Sequence, residues 1–257
     1  MKEALRILTP GMADILIGGP PCQSFSNARS GGYSEGYRDC SGISEILNFV
    51  SALDIVKPKL FIMENAPTLL EQPSMNQNLQ NILRLFRDSG YIVSPELLST
   101  EEYGVPQQRK RTFFLGTRVD FYAKGMRFRK PEGIFWTNKW TGWAHYLGLP
   151  EEGLLVRRGN ALKGKNPYEA AYTVISADLI NIRYSVSAKL VGTLTKLERL
   201  GQDQRPLTIE ELARLQGFPP TYEFTGSLDS QRLQVGNAWS FNVASALAKE
   251  ARRSLEH

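Results

Sequence analysis

Histidine and cysteine are scarce in this chain of 257 residues, with two of each. Two thiols, Cys22 and Cys40, are too few for a disulfide framework and fit a reducing compartment. Of the histidines only His145 is internal, because Leu255, Glu256 and His257 read as the remnant of a C-terminal histidine tag. A Ser-His-Asp triad, a Cys-His pair or a multi-histidine metal site therefore fits poorly, and no metal is expected. Long hydrophobic runs are missing too: none approaches the ~20 residues that span a bilayer. The opening MKEALRILTPGMADI has no uninterrupted apolar core, so it does not read as a secretory signal. No membrane partner is expected, and the cytoplasm is the expected location. Any catalysis must draw on Cys, Glu, Arg and Asn.

The positive charge is modest in amount and uneven in place. The formal net charge is +5, yet between Phe121 and Lys165 nine Lys and Arg face three acids, and the remainder of the chain is about neutral. The same segment holds Trp136, Trp140 and Trp143. Basic side chains interleaved with aromatics suit a polyanion with stackable bases, although a solvated basic loop region would have the same composition.

Residues 13 to 118 alternate strand-like and helix-like segments. Strands are expected at Asp14 to Gly18, Lys59 to Met63, Tyr91 to Leu98 and Thr112 to Thr117. Between them, one helix carries Ile46, Leu47, Val50 and Leu53 on one face, and a second carries Leu79, Ile82, Leu83 and Phe86 ahead of Gly90 as its C′ residue. This alternation predicts an α/β fold with a mostly parallel sheet and covering helices, in which ligands bind at the carboxyl ends of strands. Residues 119 to 205 lose the rhythm and read as a smaller β-containing region with pieces such as AAYTVI. Helical signals return at residue 206, with Thr208 and Glu211 spaced as a capping box and a closing amphipathic helix up to residue 254.

Three stretches hold candidate chemistry. IGGPPCQSFS presents Cys22 on a rigid turn after a short strand, either as a small packed hydrophobe or as a nucleophile held out for attack. KLFIMENAP brings Glu64 and Asn65 out of an apolar strand at the same sheet edge; a glutamate there is either a partly desolvated acid or a cap for the next segment. In GVPQQRKR, Arg109 and Arg111 alternate with Lys110 as a strand begins, so period-two spacing places both on one side. Their fixed forks suit a carboxylate, a phosphate or a base carbonyl, and an edge-strand surface would look the same.

Taken together these segments resemble the DNA (cytosine carbon-5) methyltransferase family, in the family's order. GGPPCQSFS is similar to its nucleophile loop, ENAP to its glutamate loop and GVPQQRKR to its Gln-x-Arg-x-Arg motif. RPLTIEELARLQGFPPTYEF and QVGNAWSFNVASALA are similar to two further motifs, so the resemblance covers residues 13 to 250 apart from the variable basic region. It implies a Rossmann-like methyltransferase sheet in a catalytic region at 1–118, a target-recognition region at 119–205 and a return to the catalytic domain at 206–254, with 255–257 as the tag remnant. It also implies that Cys22 attacks carbon-6 of a flipped cytosine, that Glu64 meets ring nitrogen-3, and that Arg111, with Arg109 in support, holds the base carbonyl and a phosphate. Gln23, Asn65 and Pro21 would support the loops. S-adenosylmethionine would be the methyl donor, with Pro20, Pro21 and Asn237 lining its pocket, and double-stranded DNA of the nucleoid would be the partner.

One departure from the pattern sets a further expectation. The family's Phe-x-Gly-x-Gly donor loop and the acid that closes the next strand have no match in MKEALRILTPGMA, and Ser41 and Ser44 replace the Arg and Leu of a later donor-side motif. The sheet is thus expected to be N-terminally incomplete and the donor pocket partial. The chain would then be a subunit whose partner supplies donor-binding strands, an inert remnant, or a DNA-binding or regulatory module. An intact set of Cys22, Glu64, Arg109 and Arg111 argues against a pure binder. A tRNA-methylating relative of the same fold carries a Cys-Phe-Thr signature in its recognition region; no cysteine follows Cys40, which favours DNA.

Overall fold

The computed structural model describes residues 4–20, 41–105, 107, 109–133, 147, 154–158, 182–186, 204–206 and 208–256. The chain divides into two compact units. The first comprises Met1–Leu98, Lys110–Pro131 and Leu247–His257, and the second Ser99–Arg109 and Glu132–Ala246. No helix among the described residues is long and apolar enough to cross a membrane.

The first unit is built on a four-stranded sheet of β1 (Ile15–Gly18), β2 (Leu60–Asn65), β3 (Tyr91–Ser99) and β4 (Lys110–Arg118), in the order β1-β2-β4-β3. All four strands fall where apolar runs predicted them, but the sheet is mixed and not mostly parallel. β1 and β2 run parallel across the helix α1 (Ser41–Val56), whereas β4 lies antiparallel to β2, with Glu64 opposite Phe113 and Asn65 opposite Thr112. Parallel pairing needs a long crossover, which α1 supplies; β4 reaches β2 by passing β3 and enters from the other end.

β2 is the central buried strand: Leu60, Phe61, Ile62 and Met63 are each at most 1% exposed. Helix α1 buries Ile46, Phe49, Val50, Leu53 and Val56. Leu47, expected on that face, is 44% exposed, since it sits about 100° around the helix from Ile46, and Phe49 takes the i+3 place. Helix α2 (Thr68–Glu71) follows β2, and α3 (Asn76–Asp88) adds Ile82 and Phe86, with Gly90 behind it at φ +86 as the expected C′ residue. The ring of Phe61 meets those of Phe86, Tyr91 and Phe49 at 4.7, 5.2 and 5.7 Å. Each such pair adds about 0.5–1.5 kcal/mol beyond area burial.

Two glycines make room for these rings. Gly116 stands opposite Phe61 in the ladder, where a Cβ would fall 2.0 Å from the ring. At Gly18, the last residue of β1, a Cβ would fall 2.7 Å from the ring of Phe49. Short helix α4 (Val119–Ala123) leaves β4, and Phe121 there receives the cations of Arg118, Lys124 and Lys59 at 4.8, 5.3 and 5.6 Å from its centroid.

The second unit contains a three-stranded antiparallel sheet of β5 (Leu154–Arg158), β6 (Ile182–Val186) and β7 (Gln204–Pro206), which gives the basic region its β content. The AAYTVI segment and Trp136, Trp140, Trp143 and His145 lie outside the described residues. Helix α5 (Ile209–Leu215) opens with the expected capping box: Glu211 N–H donates to Thr208 Oγ1 at 3.2 Å and Thr208 N–H to Glu211 Oε2 at 2.8 Å. Helix α6 (Leu228–Asn237) follows, and α7 (Phe241–Leu255) runs from the second unit's residues into those of the first.

Candidate active site

In the first unit, β2 ends on Glu64 and Asn65, and β4 begins on Lys110 and Arg111. Because these strands are antiparallel, the carboxyl end of one meets the amino end of the other. Glu64 and Arg111 become diagonal neighbours on one face of the sheet, and Arg111 Nε lies 2.7 Å from Glu64 Oε1. Their side chains are 12% and 21% exposed, so the pair is largely shielded from water. A guanidinium held that close fixes the orientation of the carboxyl group. The alternative in which Glu64 caps the following helix does not hold, since α2 opens at Pro67 with no side-chain cap.

Asn65 is fully buried on the opposite face. Its Oδ1 accepts from Ala66 N–H at 2.8 Å, closing the turn after β2, while Nδ2 has no hydrogen-bond partner. The hydroxyl of Thr112, directly across the ladder, is likewise buried and without a partner. Beside the turn, Lys110 Nζ lies 3.1 Å from Glu71 Oε1, an exposed pair of little energetic weight.

The two arginines do not alternate along one strand, because the ladder starts only at Lys110. Arg109 precedes it and belongs to the second unit. The residue is 3% exposed, and its Nη2 donates to the carbonyls of Ala238 at 3.0 Å and Gly236 at 3.4 Å. Those residues flank Asn237, which ends α6 and is exposed. Pro20 lies half-buried two residues beyond β1, in the first unit. Cys22, Pro21, Gln23 and Cys40 lie outside the described residues. Among the described residues no group of His, Cys, Asp and Glu could hold a metal ion.

Two glutamines that lie in the quoted motifs but to which sequence reasoning gave no role are central to the second unit. Gln107 and Gln216 are fully buried. Gln107 Nε2 donates to Leu215 O and to Gln216 Oε1, and Gln216 Nε2 donates to Val235 O at 2.9 Å and Ala238 O at 3.4 Å. A signal for Gln216 existed: it falls four residues after Leu212, on the apolar face of α5.

A model of the family described as C-5 cytosine-specific DNA methylase matches residues 4–141 and 158–253. Type II methyltransferase M.MthTI of Methanothermobacter thermautotrophicus is 30% identical over 99% of this chain and 84% of its own length. Type II methyltransferase M.NgoPII of Neisseria gonorrhoeae is 27% identical over 96% of this chain and 79% of its own length. Among solved structures, the Entamoeba histolytica methyltransferase EhMeth superposes with a TM-score of 0.66, covering 95% of this chain and 78% of that one, at 16% identity, which speaks to the fold. With the family's model spanning most of the sequence and a relative 30% identical over nearly the whole chain, the chain belongs to the C-5 cytosine-specific DNA methylase family.

Proposed function

We propose that the chain methylates carbon-5 of a cytosine flipped out of double-stranded DNA, with S-adenosylmethionine, the co-substrate of this methyltransferase family, as donor. The observation that carries the reading is the shielded pair of Glu64 and Arg111 at the edge where β2 ends. Carbon-5 of cytosine is too electron-poor to take a methyl group directly. The Cys22 thiolate adds to carbon-6, and the displaced electron pair moves onto the ring, toward carbon-5 and nitrogen-3. Glu64 meets nitrogen-3 with a hydrogen bond or proton there, while Arg111 orients the Glu64 carboxyl and contacts the base carbonyl. The donor supplies an electrophilic methyl group to carbon-5. Loss of the carbon-5 proton then re-forms the ring double bond and releases Cys22. Gln23, Asn65 and Pro21 support the two loops, and Pro20, Pro21 and Asn237 face the donor. The basic, aromatic region at 119–205 grips the opened duplex, so DNA affinity falls steeply with salt.

Duplex DNA carrying 5-fluorocytosine tests the scheme, because fluorine at carbon-5 blocks the last step. With S-adenosylmethionine present the wild-type chain forms a covalent complex and Cys22→Ser does not. A complex that survives Cys22→Ser sinks the assignment.

A second polypeptide that adds donor-binding strands is the reading favoured by one observation. β1 is the terminal strand of its sheet among the described residues, and on it Ile17 is 58% exposed. Such an edge takes a further strand by main-chain hydrogen bonding. Tight binding of S-adenosylmethionine by the isolated chain in a calorimeter would remove the need for that partner.

A further inference from the structure

We propose that Arg109 is a positioning residue for Asn237, and that it acts on the donor's site and not on the flipped base. The inference rests on the reading above that Asn237 faces the donor. A single guanidinium nitrogen, Nη2, spans the carbonyls of Gly236 and Ala238, one on each side of Asn237. These carbonyls sit at the carboxyl end of α6, where unsatisfied C=O groups carry partial negative charge and a cation is stabilising. Arg109 is 3% exposed, so this contact is made away from solvent. Gln216 holds the carbonyls of Val235 and Ala238, and Gln107 holds Gln216 in turn. Three buried polar side chains, Gln107, Arg109 and Gln216, thereby fix the backbone at 235, 236 and 238. The one residue in that stretch whose carbonyl they leave alone is Asn237, and it is the exposed one. The motif built around Arg109 therefore sets the direction in which the Asn237 amide is presented. Its planarity matters, because the two Nη2 N–H directions are fixed in the guanidinium plane, whereas a lysine ammonium turns freely on a flexible stem and keeps the charge without the fixed geometry.

The test uses the protein as purified from its host, with any co-purifying polypeptide retained. Arg109→Lys and Arg109→Gln are compared with wild type for donor KM, kcat and affinity for duplex DNA. The expected result is a donor KM raised about tenfold or more, a smaller change in kcat, and DNA affinity retained. Asn237→Ala, at an exposed residue that does not threaten folding, is expected to raise the donor KM similarly, and the Arg109→Gln/Asn237→Ala double variant to be no worse than the more impaired single one. Loss of DNA affinity with an unchanged donor KM would overturn the proposal and return Arg109 to the base or the phosphate. An unchanged donor KM in Asn237→Ala would overturn it as well, even if the Arg109 variants fail to fold. Wild-type protein with no donor-dependent methylation would instead defeat the reading of function on which the inference rests.

Discussion

Glu64 and Arg111 meet at 2.7 Å across an antiparallel pair of strands, one diagonal step from the Glu64 and Phe113 positions that face each other in the ladder. The pair joins the last turn of one strand to the first of another that lies 45 or more residues on in the chain, so its geometry is set by sheet register. In a single-turnover methylation assay Glu64→Gln is expected to slow methyl transfer by about 10²- to 10⁴-fold, the usual weight of a positioned acid. A double-mutant cycle of Glu64→Gln with Arg111→Ala in urea unfolding is expected to show a coupling of about 0.5–3 kcal/mol. Strict additivity would mean the pair carries no energy.

Gly116→Ala tests the aromatic core. The added methyl would fall 2.0 Å from the Phe61 ring, which is itself wedged between Phe86 and Tyr91 and cannot yield. Overpacking of this kind costs about 1–3 kcal/mol, read as a lower urea midpoint at unchanged slope. The double variant Gly116→Ala/Phe61→Leu is expected to recover part of the loss.

Thr112→Val is expected to be neutral or stabilising, against the usual direction for a buried site. The Thr112 hydroxyl is buried without a hydrogen-bond partner, and an unsatisfied group of this kind costs about 1–3 kcal/mol. Valine keeps the shape and removes that cost. A clear drop in melting temperature would show that the hydroxyl has a partner in solution, a bound water being the simplest.

Alkaline pH is expected to weaken the fold through Tyr91. Burial pushes its hydroxyl well above the ordinary value of 10.0, and the hydroxyl donates to Pro58 O at 2.8 Å. The folded state prefers the neutral form. Its contribution is complete below the unfolded-state value near 10 and is lost as pH rises beyond it toward the folded-state value. Tyr91→Phe should cost about 1 kcal/mol at neutral pH and flatten the decline of urea stability between pH 9 and about 11.

Much of this arrangement was legible in the residues because it depends on local pattern. Four apolar runs bounded by turn residues gave the four strands, and Thr208 with Glu211 gave a helix start whose two hydrogen bonds are both present. What local pattern does not carry is strand direction. The antiparallel direction of β4 is decided by the end of the sheet from which the chain returns after β3, and it is this entry that pairs Arg111 with Glu64. Arg109 misled for a related reason. Period two holds only inside a ladder, and a residue one step before the ladder is free to turn to other partners, here Gly236 and Ala238. Gln107 and Gln216, though inside quoted motifs, received no role because buried glutamines look like surface residues until their carbonyl partners, more than a hundred residues away for Gln107, are in view.

The edge position of β1 also bears on how the protein behaves in the tube. A strand that, among the described residues, has one edge unpaired, with an exposed isoleucine and no charged residue between Ile15 and Gly18, is an adhesive surface for any other extended chain, including a second copy. Precipitation that grows with protein concentration and is relieved by Ile17→Lys would locate the stickiness in this one strand, making solubility itself a measure of whether the edge is covered.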